Sequence, residues 1–217
     1  MEIEKTLQDK YPGLRVLEFV MQVVIRKHST ELEAFKKSKQ EEIRKSVSLL
    51  DAIKDLPVIR AYRDFYWNVG IDPTKTRPAG EALLRKIIGG RDLPSINTLV
   101  DSYNLASAET MISIAAFDHA KVDPRRLLMR IAAKGETFVG IGMDSAMILN
   151  GVQVVIDDLS QKKLIAVYPY RDADESKVTE ETTSVLFMMC GVPGISSSDL
   201  EAAKKLTCNY VTTFCQP

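Results

Sequence analysis

The chain has 217 residues, enough for one large domain or two small ones whose core needs neither a disulfide nor a metal. Lys plus Arg and Asp plus Glu each total 29, which excludes the overall positive field of a dedicated polyanion binder and confines any nucleic-acid contact to local patches. Cys190, Cys208 and Cys215 form no C-x-x-C pair and only His28 and His119 could join them, so no metal or cofactor is expected.

Residues 14–25 are rich in Val, Ile and Phe behind Pro12-Gly13 and read as a strand. Thr30 with Glu33 forms a capping box for a helix to about residue 50, with Leu32, Phe35, Ile43, Val47 and Leu50 on its apolar face. Lys36, Lys37, Lys39, Arg44 and Lys45 fall mostly off that face and read as solvated. Residues 57–67 and 78–88 are two further helices, the second opened by Pro78 and closed by Gly89-Gly90, and another is expected to start near Ser95. From residue 112 the pattern changes to short apolar runs at 112–117, 127–132, 137–141, 146–149, 152–156 and 164–168, the spacing of an antiparallel sheet. Residues 168–183 form a polar loop too long for a mere connector. Ser198 with Glu201 then opens a last helix to about residue 206. Helices first and sheet second, with no βαβ repeat and no Pro/Gly/Ser-rich linker, predict an α+β fold: N-terminal helices packed on a mainly antiparallel sheet, in a single domain over residues 1–217.

The common catalytic signatures are missing: there is no Walker-type phosphate loop, no dinucleotide fingerprint, no nucleophile elbow and no H-E-x-x-H. Gly140-Ile-Gly142 lies among strands and reads as a tight turn. Two segments are locally basic, residues 60–91 with Arg77, Arg85 and Arg91, and residues 121–134 with Arg125 and Arg126. Together with Tyr62, Phe65, Tyr66 and Trp67 they could grip a phosphate backbone and stack a base; the alternative is solvated charge over core aromatics. The loop from Tyr168 to Asp174 gathers Tyr168, Tyr170, Arg171 and Asp174, which suit a small amine- or carboxylate-bearing ligand, or else pair among themselves. No apolar run approaches the roughly 18 residues of a membrane span. The odd cysteine count and the start Met1-Glu-Ile-Glu, which is no secretory leader, point to a reduced, cytoplasmic setting.

The run Ser95-Ile-Asn-Thr-Leu-Val-Asp101-Ser-Tyr-Asn104, then Glu109, then Ala116-Phe-Asp118, resembles the signature of the B3/B4 tRNA-editing module of the phenylalanyl-tRNA synthetase beta subunit. Arg130-Ile-Ala-Ala-Lys-Gly-Glu136-Thr continues in the same register, and Thr182 with Val185-Leu186 matches the stretch beyond the module's glycine-rich loop. The resemblance covers about residues 76–206 and leaves residues 1–75 as an N-terminal extension. It implies an α+β fold, tRNA or aminoacyl-tRNA as partner, and metal-free hydrolysis of a mischarged aminoacyl ester. Asn104 stands at the family's pocket asparagine and Asp174 about where the family has its amino-binding glutamate, whereas Tyr103 replaces a threonine, Ala115 replaces the pocket histidine, and Tyr168-Pro-Tyr-Arg171-Asp172 replaces the glycine loop. Two readings follow. The first is a free-standing aminoacyl-tRNA binder that hydrolyses mischarged ester in trans, with Tyr103, Asn104, Tyr168, Tyr170, Arg171 and Asp174 at the pocket and Arg77, Arg85, Arg91, Arg125 and Arg126 on phosphates. The second is a non-catalytic binder of a free amino acid or small metabolite in the remodelled pocket.

Overall fold

The computed structural model describes residues 1–46 and 52–216, so the expected helix positions Val47 and Leu50 lie outside the described residues. The N-terminal part runs β1 (Glu2–Ile3), α1 (Lys5–Lys10), β2 (Arg15–Gln22), α2 (Thr30–Ser46), α3 (Pro57–Asn68), α4 (Ala79–Ile88) and α5 (Thr98–Thr110). The strand-rich part follows with β3 (Ile114–Asp118), β4 (Leu127–Ile131), β5 (Thr137–Phe138), β6 (Met147–Ile148), β7 (Val154–Asp158), β8 (Lys163–Tyr168), β9 (Arg171–Asp172) and β10 (Ser184–Gly191), and α6 (Ser197–Phe214) closes the chain. The architecture is α+β, as the order of helical and strand patterns implied.

Strands order β1-β4-β7-β8-β9 in one sheet and β2-β10-β3 in a second, with β5 and β6 as a separate pair. Every ladder is antiparallel except β1 with β4. The central strand of the second sheet, β10, has no counterpart in the sequence reading. Val185 through Met189 are buried without alternation, because β10 is covered on both faces, and a period-2 signal is absent from such a strand. A core of Tyr62, Phe65, Leu99, Phe117, Ile156, Tyr168 and Phe187 lies between the helices and the two larger sheets, and a second apolar cluster joins α2, α4, α5 and α6.

Local signals act one or two residues from where the sequence places them. Ser29, not Thr30, caps α2, its hydroxyl accepting from the Leu32 N–H at 3.2 Å. α5 is capped by Asn97, which accepts from the Val100 N–H, and α6 by a capping box of Ser196 with Asp199 in place of Ser198 with Glu201. α6 runs to Phe214, eight residues past the expected end, because Tyr210 and Val211 are buried against the helical layer and packing overrides the weak helix preference of its β-branched tail. Lys36 is also not solvated. It is buried, donating to Asp101 at 2.7 Å, Glu33 at 3.0 Å and the Pro94 carbonyl at 3.1 Å, a tie between α2 and the start of α5 made across 65 positions of sequence. Tyr62, Phe65 and Tyr66 pack inward, and Trp67 alone of that aromatic group is on the surface, 56% exposed. Among the described residues no helix is long and apolar enough to cross a membrane.

Candidate functional site: a small pocket beneath the 168–172 turn

The turn after β8 folds β9 back along it, pairing Val167 with Arg171 and Ala166 with Asp172. This fold-back lies over the end of the β3–β10 ladder, where Ala115 pairs with Met188 and the Cys190 N–H donates to the Ser113 carbonyl at 2.9 Å. Between them is a cavity of about 120 Å³, walled by Ser113, Ala115, Ile156, Tyr168, Tyr170, Arg171, Asp172 and Cys190 among others.

The floor and rear are tied into the core by buried hydrogen bonds. Tyr62 ties the two strands together at the floor, its hydroxyl accepting from the Ser113 N–H at 3.1 Å and donating to the Cys190 carbonyl. The Tyr168 hydroxyl lies 3.2 Å from the Arg15 carbonyl and 3.1 Å from that of Gly191, and the Tyr66 hydroxyl donates to the Pro169 carbonyl at 3.3 Å. Arg171 donates to the Ile141 carbonyl at 2.8 Å while its guanidinium sits 5.2 Å from the centre of the Tyr170 ring. Gly140 makes this clasp possible: a Cβ there would overlap the Arg171 side chain.

Arg171 and Asp172 are the charged groups of the cavity wall, and among the described residues no cation is bonded to Asp172. Burial pushes its carboxyl up to about 7, opposed by one hydrogen bond from the Ala116 N–H. The residue nevertheless keeps a partly accessible edge. Around it, burial and secondarily the Asp172 charge push the Cys190 thiol and the Tyr103 phenol far up, so both stay protonated at neutral pH. The Ser113 hydroxyl is buried and finds no hydrogen-bond partner among the described residues. The site therefore presents the Arg171 guanidinium, one carboxylate shifted toward its neutral form, neutral Tyr and Cys groups, and an apolar floor. Such a set can hold an ammonium group; its one candidate general base is Asp172 itself.

A family model for the B3/4 domain matches residues 61–211, well over half of the chain. The chain belongs to the B3/4 domain family. An N-terminal fragment of the phenylalanyl-tRNA synthetase beta-subunit from Pyrococcus horikoshii shares the fold with a TM-score of 0.51 and 12% sequence identity, the match covering 98% of this chain and 48% of that fragment. This chain thus spans about half of that relative's length. No curated protein matches it.

Within this B3/4 fold the residues singled out from sequence are distributed over several places. Tyr168, Tyr170 and Arg171 meet in the small pocket beneath the turn. Tyr103, on α5, packs edge-on against Phe187 at 6.2 Å and feels the Asp172 charge, while its neighbour Asn104 is half-buried and walls neither cavity described here. Asp174 faces a separate open cleft of about 810 Å³, shared with Arg130, Glu136, Asp157, Lys162 and Lys163, and is ion-paired to Lys177 at 2.8 Å. Of the arginines, Arg77, Arg91, Arg125 and Arg126 are exposed, Arg125 pairing with Asp123 at 3.1 Å. Arg85 is half-buried and bonded at 2.7 Å to Glu81, which also holds Arg63. Sequence reasoning did not select Asp172, Ser113 or Cys190. Asp172 stood in the quoted loop, but only the β8–β9 register shows which of the loop carboxylates turns toward Ala115.

Proposed function

We propose that this B3/4 domain binds the aminoacylated 3′ end of a tRNA in the pocket under residues 168–172 and hydrolyses the ester in trans. The observation that carries this reading is Asp172, a half-buried carboxylate with no bonded cation among the described residues, in a small, partly open cavity at the place where the family resemblance puts its pocket histidine, here Ala115. An ammonium group is the ligand that such a carboxylate lacks, and binding one lowers the cost of ionising it. Asp172 then takes the amino-holding role that sequence assigned to Asp174, and Arg171 polarises the ester or contacts the terminal ribose. Water adds to the ester carbonyl, the ribose oxygen leaves with a proton, and the free amino acid departs. The substrate's own vicinal hydroxyl and backbone N–H groups orient that water, since the family's histidine is Ala115 here.

Support for an RNA partner comes from the synthetase origin of the structural relative and from the exposed Arg77, Arg91, Arg125 and Arg126, which we assign to phosphates with Arg85 as their inner support. We read residues 1–217 as one domain in which the N-terminal extension is integral, supported by β1 pairing with β4 and β2 with β10. A cytoplasmic setting accords with three free cysteines. The second reading, a binder of free amino acid without turnover, is favoured by Ala115 and by the zero net charge.

The test is deacylation of a panel of aminoacyl-tRNAs, tyrosyl-tRNA for phenylalanine included, by the wild type and by Asp172→Asn. Turnover that falls about 100-fold in the variant, roughly the worth of a charge-assisted bond, supports the editing reading. Absence of turnover with free amino acid still bound supports the second reading, and loss of both defeats the pocket assignment.

A further inference from the structure

We infer that the pocket imposes a size ceiling: it accepts an aminoacyl group with a very small side chain, glycyl, alanyl or at the limit seryl, and shuts out aromatic ones. This rests on the pocket assignment above and names its substrate class. A 150 Å³ apolar cavity takes one benzene ring, so a cavity of about 120 Å³ takes in proportion about five non-hydrogen atoms. An alanyl group fills that quota; a phenol or phenyl ring together with its Cα, carbonyl and ammonium exceeds it about twofold.

A small cavity could open on binding, but the rear of this one is tied into the core. Tyr168 is anchored by carbonyls of β2 and β10, so its ring cannot swing without leaving the buried core, where it is 1% exposed. The Pro169 carbonyl is held by Tyr66 of α3, whereas Arg171, bonded to the Ile141 carbonyl at the surface and lying against Gly140, forms part of the rim. The rear is Ile156 and Cys190, both buried in the sheets. Tyr170, half-buried at the rim beneath the Arg171 guanidinium, is the wall that can be cut back with least harm to the core. It is the specificity-determining residue.

The test is calorimetric titration of the full chain with amino-acid amides, which carry the ammonium and a carbonyl but cannot be hydrolysed: glycinamide, alaninamide, serinamide, leucinamide, phenylalaninamide and tyrosinamide. The wild type is expected to bind the first three, leucinamide at least tenfold more weakly, and the aromatic amides not measurably. Tyr170→Ala is expected to raise the affinity for leucinamide and phenylalaninamide relative to alaninamide at least tenfold. Aromatic amides bound by the wild type as tightly as alaninamide overturn the ceiling and leave the pocket assignment standing. No amide bound by either protein overturns both.

Discussion

Asp172 and Asp174 are two residues apart, yet they occupy opposite electrostatic worlds. Asp174 lies in an open cleft with Lys177 against it, the common fate of a surface carboxylate, and such pairs are worth about 0–1 kcal/mol. Asp172 is half-buried in a small pocket with Tyr168, Tyr170, Arg171 and Cys190, has no cation bonded to it among the described residues, and burial pushes its carboxyl up to about 7. Asp101 is a third case, 3% exposed yet neutralised by Lys36. Burial alone therefore does not mark a site. Burial without compensation does, because folding gains nothing from an uncompensated acid and something else must favour keeping it.

Removing the compensation at Asp101 should have the largest effect on stability. Lys36→Ala leaves a buried carboxylate unpaired and is expected to cost about 3–5 kcal/mol, read as a fall in the denaturant midpoint. Relieving Asp172 should do the reverse. Its folded pKa is above the unfolded one, so the protein's stability declines as pH rises from about 4 through about 7. Asp172→Asn escapes that decline: it should match the wild type near pH 4 and exceed it at pH 8 by on the order of 2 kcal/mol, discounted for the accessible edge. Gly140→Ala sharpens the comparison from the other side, since its methyl displaces Arg171 from the clasp. It should destabilise by about 1–3 kcal/mol and weaken ligand binding in parallel. The smallest effect belongs to Asp174→Asn, expected within about twofold of wild type in both binding and turnover. A large loss there would move the ammonium site to the open cleft.

Much of the fold was legible because its signals are local. Pro78 and Gly89 bracket α4, and the glycine- and turn-separated apolar runs locate β4, β7 and β8 to within two residues. What escaped was set by distant partners. β10 carries an unbroken apolar run because β2 and β3 flank it and layers cover both faces, so alternation never appears. Lys36 reads as solvated until α5 brings Asp101 to it. The site divides the same way. The resemblance picked out Ala115 and the loop Tyr168 to Asp172 without giving Asp172 a role, and both line one cavity. The choice between Asp172 and Asp174 depends on the pairing of Ala166 with Asp172, a register no local pattern encodes.

The central claim is that Asp172 receives an ammonium group in the small pocket beneath the 168–172 turn, and the pH dependence of alaninamide affinity tests it most directly. The account predicts that wild-type affinity rises as pH increases through about 7, where the carboxylate ionises, and that Asp172→Asn is weak and flat across the same range while Asp174→Asn retains the rise. An unchanged profile in Asp172→Asn, or loss of the rise in Asp174→Asn alone, would contradict it.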